Sequence, residues 1–355
     1  MNRPVYTGEV IMEKKSLLAQ RVTDMHFQHH PQLEAKYGKK GKEKCQADTL
    51  YHISYLSEAI GAGSIEIFSA YIDWAQVMLQ SRSIPLQDLI DNLQYTARAC
   101  EELLPQEDYE TAAGYLKIAS SRLENIRPFA ATLITKNNPL FIAAKKYLGF
   151  LLEGNKNKAL AVINELVKNC ESVQSIYEHI FRVTQYEVGL LWQTNRISVA
   201  HEHYCTAATQ LIMSSLYPCI FSSDRKGKKL LGCTVSGDLH ELGIRMVCDL
   251  FEIDGWDTYY MGANMPDESI ISAIKEQKGD VLAISATMPY HVSKVAELIK
   301  KLKSSGFPDL KIIVGGYPFS LDGGLYRRIG ADGCALTTKE AIELTNRLVS
   351  PNQIV

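Results

Sequence analysis

The feature that most constrains this chain is a change of hydrophobic period near residue 224. From about residue 12 to residue 220 nearly every segment carries apolar residues at helical spacing, and the alternation of a half-buried strand is absent. After the charged stretch Asp224-Arg225-Lys226-Gly227-Lys228, short apolar runs alternate with amphipathic stretches. A chain of 355 residues built this way is expected to be multidomain, all-α first and α/β second.

In the second part, strands are expected at Lys229–Val235, Asp257–Tyr260, Val281–Ser285, Lys311–Val314 and Cys334–Leu336. Helices are expected at Leu239–Phe251, Asp267–Glu276, His291–Ser304, Ser320–Ile329 and Lys339–Leu348. Five βα units of this length make a doubly wound, flavodoxin-like parallel sheet of order 2-1-3-4-5, which binds ligands beyond the carboxyl ends of its strands.

The helical part is punctuated by Pro85, Pro105, Pro128 and Pro139, and Asn137-Asn138-Pro139 is the best candidate for a boundary. Turns at Gly154-Asn155, Cys170-Glu171-Ser172 and Asn195-Arg196 then divide the next segment into four helices ending at Tyr217-Pro218. The expected domains are 1–137, 138–222 and 228–355.

Composition narrows the function classes. A net charge of -2 gives no global attraction to nucleic acid or acidic membranes, and the run Lys36, Lys39, Lys40, Lys42, Lys44 reads as a solvated loop surface. No recognition-helix pattern accompanies it, so DNA binding is not expected. The eight cysteines are scattered without paired spacing, as in a reducing cytoplasm. No signal peptide is read at the N-terminus, and no apolar run approaches the ~18 residues that span a bilayer. A cytoplasmic protein is expected. P-loop, zinc-site and nucleophile-elbow patterns are absent, and no catalytic residue is assigned.

The loop after the first expected strand reads Ser236-Gly237-Asp238-Leu239-His240-Glu241-Leu242-Gly243. A histidine at a sheet's carboxyl edge can give one ring nitrogen to a metal while a carboxylate two residues earlier accepts the other N–H. That second bond fixes the tautomer and raises ligand basicity. Gly243 lets a bulky planar ligand approach the helix. Ser285 and Thr287 offer hydroxyls after the third strand, and Gly315 and Gly316 remove side chains after the fourth.

Asp238-x-His240-x-x-Gly243, Ser285-x-Thr287 and Gly315-Gly316, separated by 41 and 27 residues, closely resemble the fingerprint of cobalamin-binding domains. The resemblance spans roughly residues 228–350, with Thr287 standing where leucine is commoner. It implies that the dimethylbenzimidazole tail leaves cobalt and lies along the sheet, that His240 becomes the lower axial ligand, and that Asp238 orients it.

Cobalamin domains of this type are usually capped by a helical bundle, and residues 139–220 take that place in the chain. Trp192, followed after nine residues by Glu202-His203, resembles the cap of MerR-type light-sensing cobalamin repressors. The resemblance implies adenosylcobalamin, with Trp192 covering the nucleoside, Glu202 on the ribose hydroxyls and His203 near the Co–C bond. One departure is Gln193, where those repressors carry a histidine. The plain alternative makes Trp192 core and Glu202-His203 a solvated helix face.

In the N-terminal region Asp48, His52 and Tyr55 recur at i, i+4 and i+7, placing a carboxylate, an imidazole and a phenol on one helix stripe. With Tyr71 and Trp74 downstream, the set resembles the helical domain of photocobilins and implies biliverdin as a second chromophore. The plain alternative is a packing or dimerisation module. The expectation is therefore a non-enzymatic light sensor, a homo-oligomer whose quaternary structure changes on Co–C photolysis. The competing reading is a corrinoid methyl carrier of a methyltransferase system.

Overall fold

A computed structural model describes residues 3–123, 132–221 and 224–350. Pro128 and residue 222, the last of the expected 138–222 domain, lie outside these. Contacts resolve the chain into two compact units, Met1–Arg127 with Ala286–Phe307 and Val314–Cys334, and Pro128–Ser285 with Pro308–Ile313 and Ala335–Val355.

The first unit opens with six helices, α1 (Arg3–Glu13), α2 (Lys15–His29), α3 (Gln32–Gly61), α4 (Ile65–Gln80), α5 (Leu86–Leu103) and α6 (Gln106–Leu123). Their apolar faces meet through Leu18, Val22, Ile53, Leu56, Ile67, Phe68 and Leu93, all almost fully buried. Polar ties fix the register. The buried Asp108 accepts from Thr7 Oγ1 at 2.7 Å and from Arg3 Nη2 at 2.8 Å, and Asn92 Nδ2 donates to Thr49 Oγ1 at 2.8 Å. The lysine run corrects an expectation: it lies within α3, which continues through a kink at Gly38 (φ 59°) instead of breaking into a loop. Lys42 there pairs with Asp24 at 2.9 Å.

In the second unit the cap consists of α7 (Phe141–Leu152), α8 (Lys156–Lys168), α9 (Val173–Ile176) running through a π-helical turn into α10 (Val183–Gln193), and α11 (Val199–Ser214), then the single turn α12 (Tyr217–Ile220). Asn155 and Ser172, both in expected turns, cap α8 and α9 by accepting first-turn amides, and Ser198, two residues beyond the expected Asn195-Arg196 turn, does the same for α11.

The α/β part runs β1 (Lys229–Val235), α13 (Leu242–Ile253), β2 (Asp257–Met265), α14 (Asp267–Gln277), β3 (Val281–Ser285), α15 (Val292–Ser304), β4 (Lys311–Gly315), α16 (Tyr317–Leu321), α17 (Leu325–Arg328), β5 (Gly333–Cys334) and α18 (Thr338–Val349). The sheet order is β2-β1-β3-β4-β5, the doubly wound order expected. Central β1 pairs in parallel with β2 and β3 and is buried along six of its seven residues, as a strand covered on both faces must be. Among the described residues no helix is long and apolar enough to cross a membrane.

Cap and α/β part share a core: Met246 and Leu250 of α13 pack with Ile176, Tyr177, Ile180, Phe181 and Ile212. Tyr177 donates its phenol to Asp249 at 2.7 Å, while Arg245 donates to Ser214 Oγ at 2.8 Å and to the Gln210 carbonyl at 3.3 Å. The shared core and the buried Tyr177–Asp249 bond hold the cap to α13.

Candidate corrinoid site

Because Thr234 of β1 pairs with Ser285 of β3, the loop leaving β1 and the end of β3 open at the same edge of the sheet. The loop is tightly tied down. Thr234 Oγ1 donates to the Asp238 carbonyl at 2.6 Å, Asn264 N donates to that carbonyl at 3.0 Å, and Gly237 N donates to Asn264 Oδ1 at 2.7 Å. Asn264 manages both contacts from a left-handed backbone (φ 55°). Asn264 and Thr234 were missing from the sequence reading, and only the turn-prone Gly262-Ala263-Asn264 hinted at them.

These bonds bury Asp238 completely while His240 stays 55% exposed, with His240 Nδ1 2.8 Å from Asp238 Oδ1. The same oxygen accepts the His240 backbone amide at 3.0 Å. A carboxylate only accepts, so Nδ1 carries the proton and Nε2 keeps its lone pair, the tautomer a metal needs. Gly243 stands on the first turn of α13, where an added Cβ would meet only Ser285 Oγ at 3.9 Å. Nothing in the protein itself demands a glycine there, which fits a position kept clear for a planar ligand. The donor set and the clear helix face thus both fit a corrinoid.

Glu241, also absent from the sequence reading, ties this loop to the cap. Its carboxylate accepts from Gln210 Nε2 at 2.6 Å and from the Tyr260 phenol at 2.8 Å. Burial first, and then the adjacent Glu241, push the Tyr260 phenol upward, so it stays a donor. Glu202, Thr206 and Gln210 recur at i, i+4 and i+8 on α11, so the face that meets Glu241 also carries Glu202. Glu202 is already engaged, by His203 Nδ1 and by Thr206 Oγ1 at 3.2 Å, and His203 is 75% exposed. Thr206 continues inward through Gln185 to Thr209 and the buried Tyr147. Trp192 is partly buried near the end of α10. His201 shares its Nδ1 with the capping Ser198 at 2.8 Å, beside a cavity of about 350 Å³.

The remaining expected site residues belong to the first unit. Thr287 is partly buried in the turn after β3. Gly315 ends β4, and its carbonyl accepts from Ala286 N at 3.0 Å. Gly316 follows with φ 106°. A Cβ on Gly316 would stand 2.1 Å from the Ala286 carbonyl oxygen, so the backbone itself requires this glycine.

The Asp48, His52, Tyr55 stripe faces inward. His52 is buried and bonds Tyr71 Oη through Nδ1 at 2.8 Å, and Tyr55 stacks on Tyr71 with centroids 3.6 Å apart. Burial pushes His52 down to about 4 and raises Asp48. A cavity of about 630 Å³ in this unit is lined by Glu66, Asp73, Trp74, Arg122 and Tyr317 among others, and by none of the stripe residues. The stripe reads as aromatic packing between α3 and α4.

That packing gives an expected pH dependence. His52 binds its proton more readily unfolded (6.5) than folded (about 4), so its contribution is present above 6.5 and is lost as pH falls toward 4. The loss is expected to reach roughly 3 kcal/mol. Urea titrations between those pH values should show it in the wild type and a flatter response in His52→Gln; parallel curves would contradict it.

Comparison with known proteins decides the family. Two family models, both described as a B12 binding domain, match residues 228–344 and 143–217. A corrinoid protein of Desulfitobacterium hafniense is 30% identical over 168 residues, 46% of this chain and 76% of that protein. The chain belongs to the corrinoid proteins. A dimethylamine corrinoid protein of Methanosarcina barkeri is 26% identical over 204 residues, 56% of this chain and 94% of the relative. The monomethylamine corrinoid protein of the same organism, at 21% identity and a TM-score of 0.53, shares the fold over 59% of this chain and all of its own.

This corrinoid protein therefore takes a cobalamin-type cofactor. The same relatives overturn the expected light sensor, since they are corrinoid proteins named for methylamines, and they lend no support to the biliverdin chromophore or to a photolytic change of quaternary structure. The geometry gives the physical reason. The Glu202 carboxylate expected on a ribose is bonded to its own helix neighbours, and the aromatic stripe expected on a bilin is packed on Tyr71.

Proposed function

We propose that this corrinoid protein is a methyl carrier, holding cobalamin with His240 beneath the ring and passing methyl groups between partner methyltransferases without itself catalysing a substrate reaction. The observation that carries the reading is the buried Asp238 fixing His240 as the Nδ1–H tautomer at the carboxyl end of β1, together with the dimethylamine relatives.

When bound, the corrinoid supplies a cobalt centre that accepts and yields a methyl group. The protein's part is to hold its surroundings constant. Asp238 keeps the imidazole proton on Nδ1 and would draw it closer as the demand on Nε2 rises. Gly243 and Ser285 leave room at the helix face, and Thr287, Gly315 and Gly316 are the residues that would receive the nucleotide tail. Glu241 and Gln210 keep the α11 face over the loop.

On this reading the upper position takes a small group. Methylcobalamin is expected to bind at least as tightly as adenosylcobalamin, because both Glu202 oxygens already have partners in His203 and Thr206 and gain less from a ribose. Paired titrations in the dark test this. Adenosylcobalamin binding about tenfold tighter or more, the value of one gained hydrogen bond, would contradict it. Transfer is tested by loading the protein with isotopically methylated cobalamin, adding cell extract and a thiol acceptor, and following the label. Label that stays on the protein under all donors and acceptors would count against the carrier.

A further inference from the structure

We propose that α3 is a positioning element for the corrinoid tail: Tyr55 and Glu58 hold the turn between β3 and α15, residues 286–291, in its receiving shape. The proposal rests on the corrinoid reading above and adds a role for N-terminal helices that neither family model reaches.

Tyr55, Glu58 and Ala62 recur at i, i+3 and i+7, so they share one face of α3. Each meets the α/β loops of its own unit. The Tyr55 ring stands edge-on to Tyr290 at 5.5 Å and 87°. The Glu58 side chain, 6% exposed, accepts the backbone N–H of Ser293 in the first turn of α15. The Ala62 carbonyl accepts from Arg328 Nε at 3.0 Å.

Ser293 N–H belongs to the donors that a helix start leaves without a partner in the helix, and the N-terminal end of the dipole favours an acceptor there. The turn supplies no side-chain cap of its own, because His291 at that position makes no capping bond. Glu58 supplies the cap from a distant helix instead. Tyr55 is backed by its stack on Tyr71, which is held by His52, so the ring facing Tyr290 has a rigid support. Tyr290 in turn lies against the buried His291 ring at 4.5 Å. The two contacts bracket the end of the turn that carries Thr287, and the charged neighbours facing Glu58 are Lys294 and Glu297 of α15. Burial lifts the Glu58 carboxyl to about 7, and either protonation state retains an acceptor oxygen.

The test compares cobalamin with cobinamide, which has the corrin but no nucleotide tail. Glu58→Ala is expected to weaken cobalamin binding by about tenfold, the scale of one uncapped buried amide, and to leave cobinamide unchanged. Glu58→Gln keeps an acceptor and should stay within about threefold of the wild type. Without any corrinoid, amide exchange across residues 286–293 should accelerate in Glu58→Ala and not in Glu58→Gln. Unaltered exchange, or equal weakening for both corrinoids, would overturn the proposal. If Glu58→Ala does not fold, Tyr290→Ala carries the same comparison, with the same outcomes deciding. A wild type that binds cobinamide as well as cobalamin would instead sink the reading of the tail site, whatever the exchange data show.

Discussion

His240→Ala is expected to lose the histidine-ligated spectrum of the bound cobalamin and to weaken binding by about 100-fold, roughly 3 kcal/mol. The variant deletes the Nε2 that the Asp238 contact leaves available, and it leaves the buried Asp238 without the ring N–H it accepts. Asp238 Oδ1 keeps the backbone N–H of residue 240, so the loss is confined to the ring contact. His240 is itself more than half exposed, so its removal should leave the fold standing. Asp238→Asn is the informative companion. An amide can present its NH₂ to the ring and favour the other tautomer, so binding should weaken although the ligand remains. Equal affinities for the wild type and both variants would remove His240 from the site.

Gly316→Ala is expected to destabilise the protein by about 3 kcal/mol or more, by a mechanism independent of any ligand. At φ 106° and ψ -179° the residue occupies a region that essentially only glycine enters. An alanine Cβ would also fall 2.1 Å from the Ala286 carbonyl oxygen, a backbone atom whose own amide is bonded to Gly315. Neither side can yield without breaking that bond. Urea denaturation of the apo protein should show the midpoint fall with an unchanged m-value. A loss below about 0.5 kcal/mol, the range of an ordinary surface substitution, would contradict the account.

The α/β half was largely legible because strand and loop chemistry alternate sharply there. Lys229–Val235 and Val281–Ser285 appear with the bounds read from the apolar runs, and the order follows from five βα units. Strand β2 runs on to Met265, through Gly262 and Asn264, both with positive φ. Such residues read as a turn, and they extend the strand only because Asn264 is held by the β1 loop. Helix α13 begins at Leu242 instead of Leu239 because Asp238 captures the His240 amide and keeps the intervening residues in a turn. The helix expected over Ser320–Ile329 is broken at Asp322-Gly323-Gly324, a breaker visible in the sequence and passed over.

For the candidate site, spacing pointed to Asp238, His240 and Gly243, because an imidazole and the carboxylate that fixes its tautomer lie two residues apart. The supports from elsewhere in the chain, Asn264, Gln210 and Glu58, had no such signature. In the N-terminal region the periodicity placed Asp48, His52 and Tyr55 on one face correctly. It could not say whether that face meets a ligand or another helix, and Tyr71 supplies the answer.

The central claim is that a histidine of this chain, His240, is the lower ligand of its corrinoid. The direct measurement is the electron paramagnetic resonance spectrum of the protein loaded with cob(II)alamin, produced once with natural histidine and once with ¹⁵N-labelled histidine. A single axial ¹⁴N nitrogen splits each cobalt line into a triplet, and ¹⁵N splits it into a doublet. The account predicts a triplet that becomes a doublet on labelling and is absent from His240→Ala. A triplet that survives labelling would show the benzimidazole still on cobalt and would contradict the site described here.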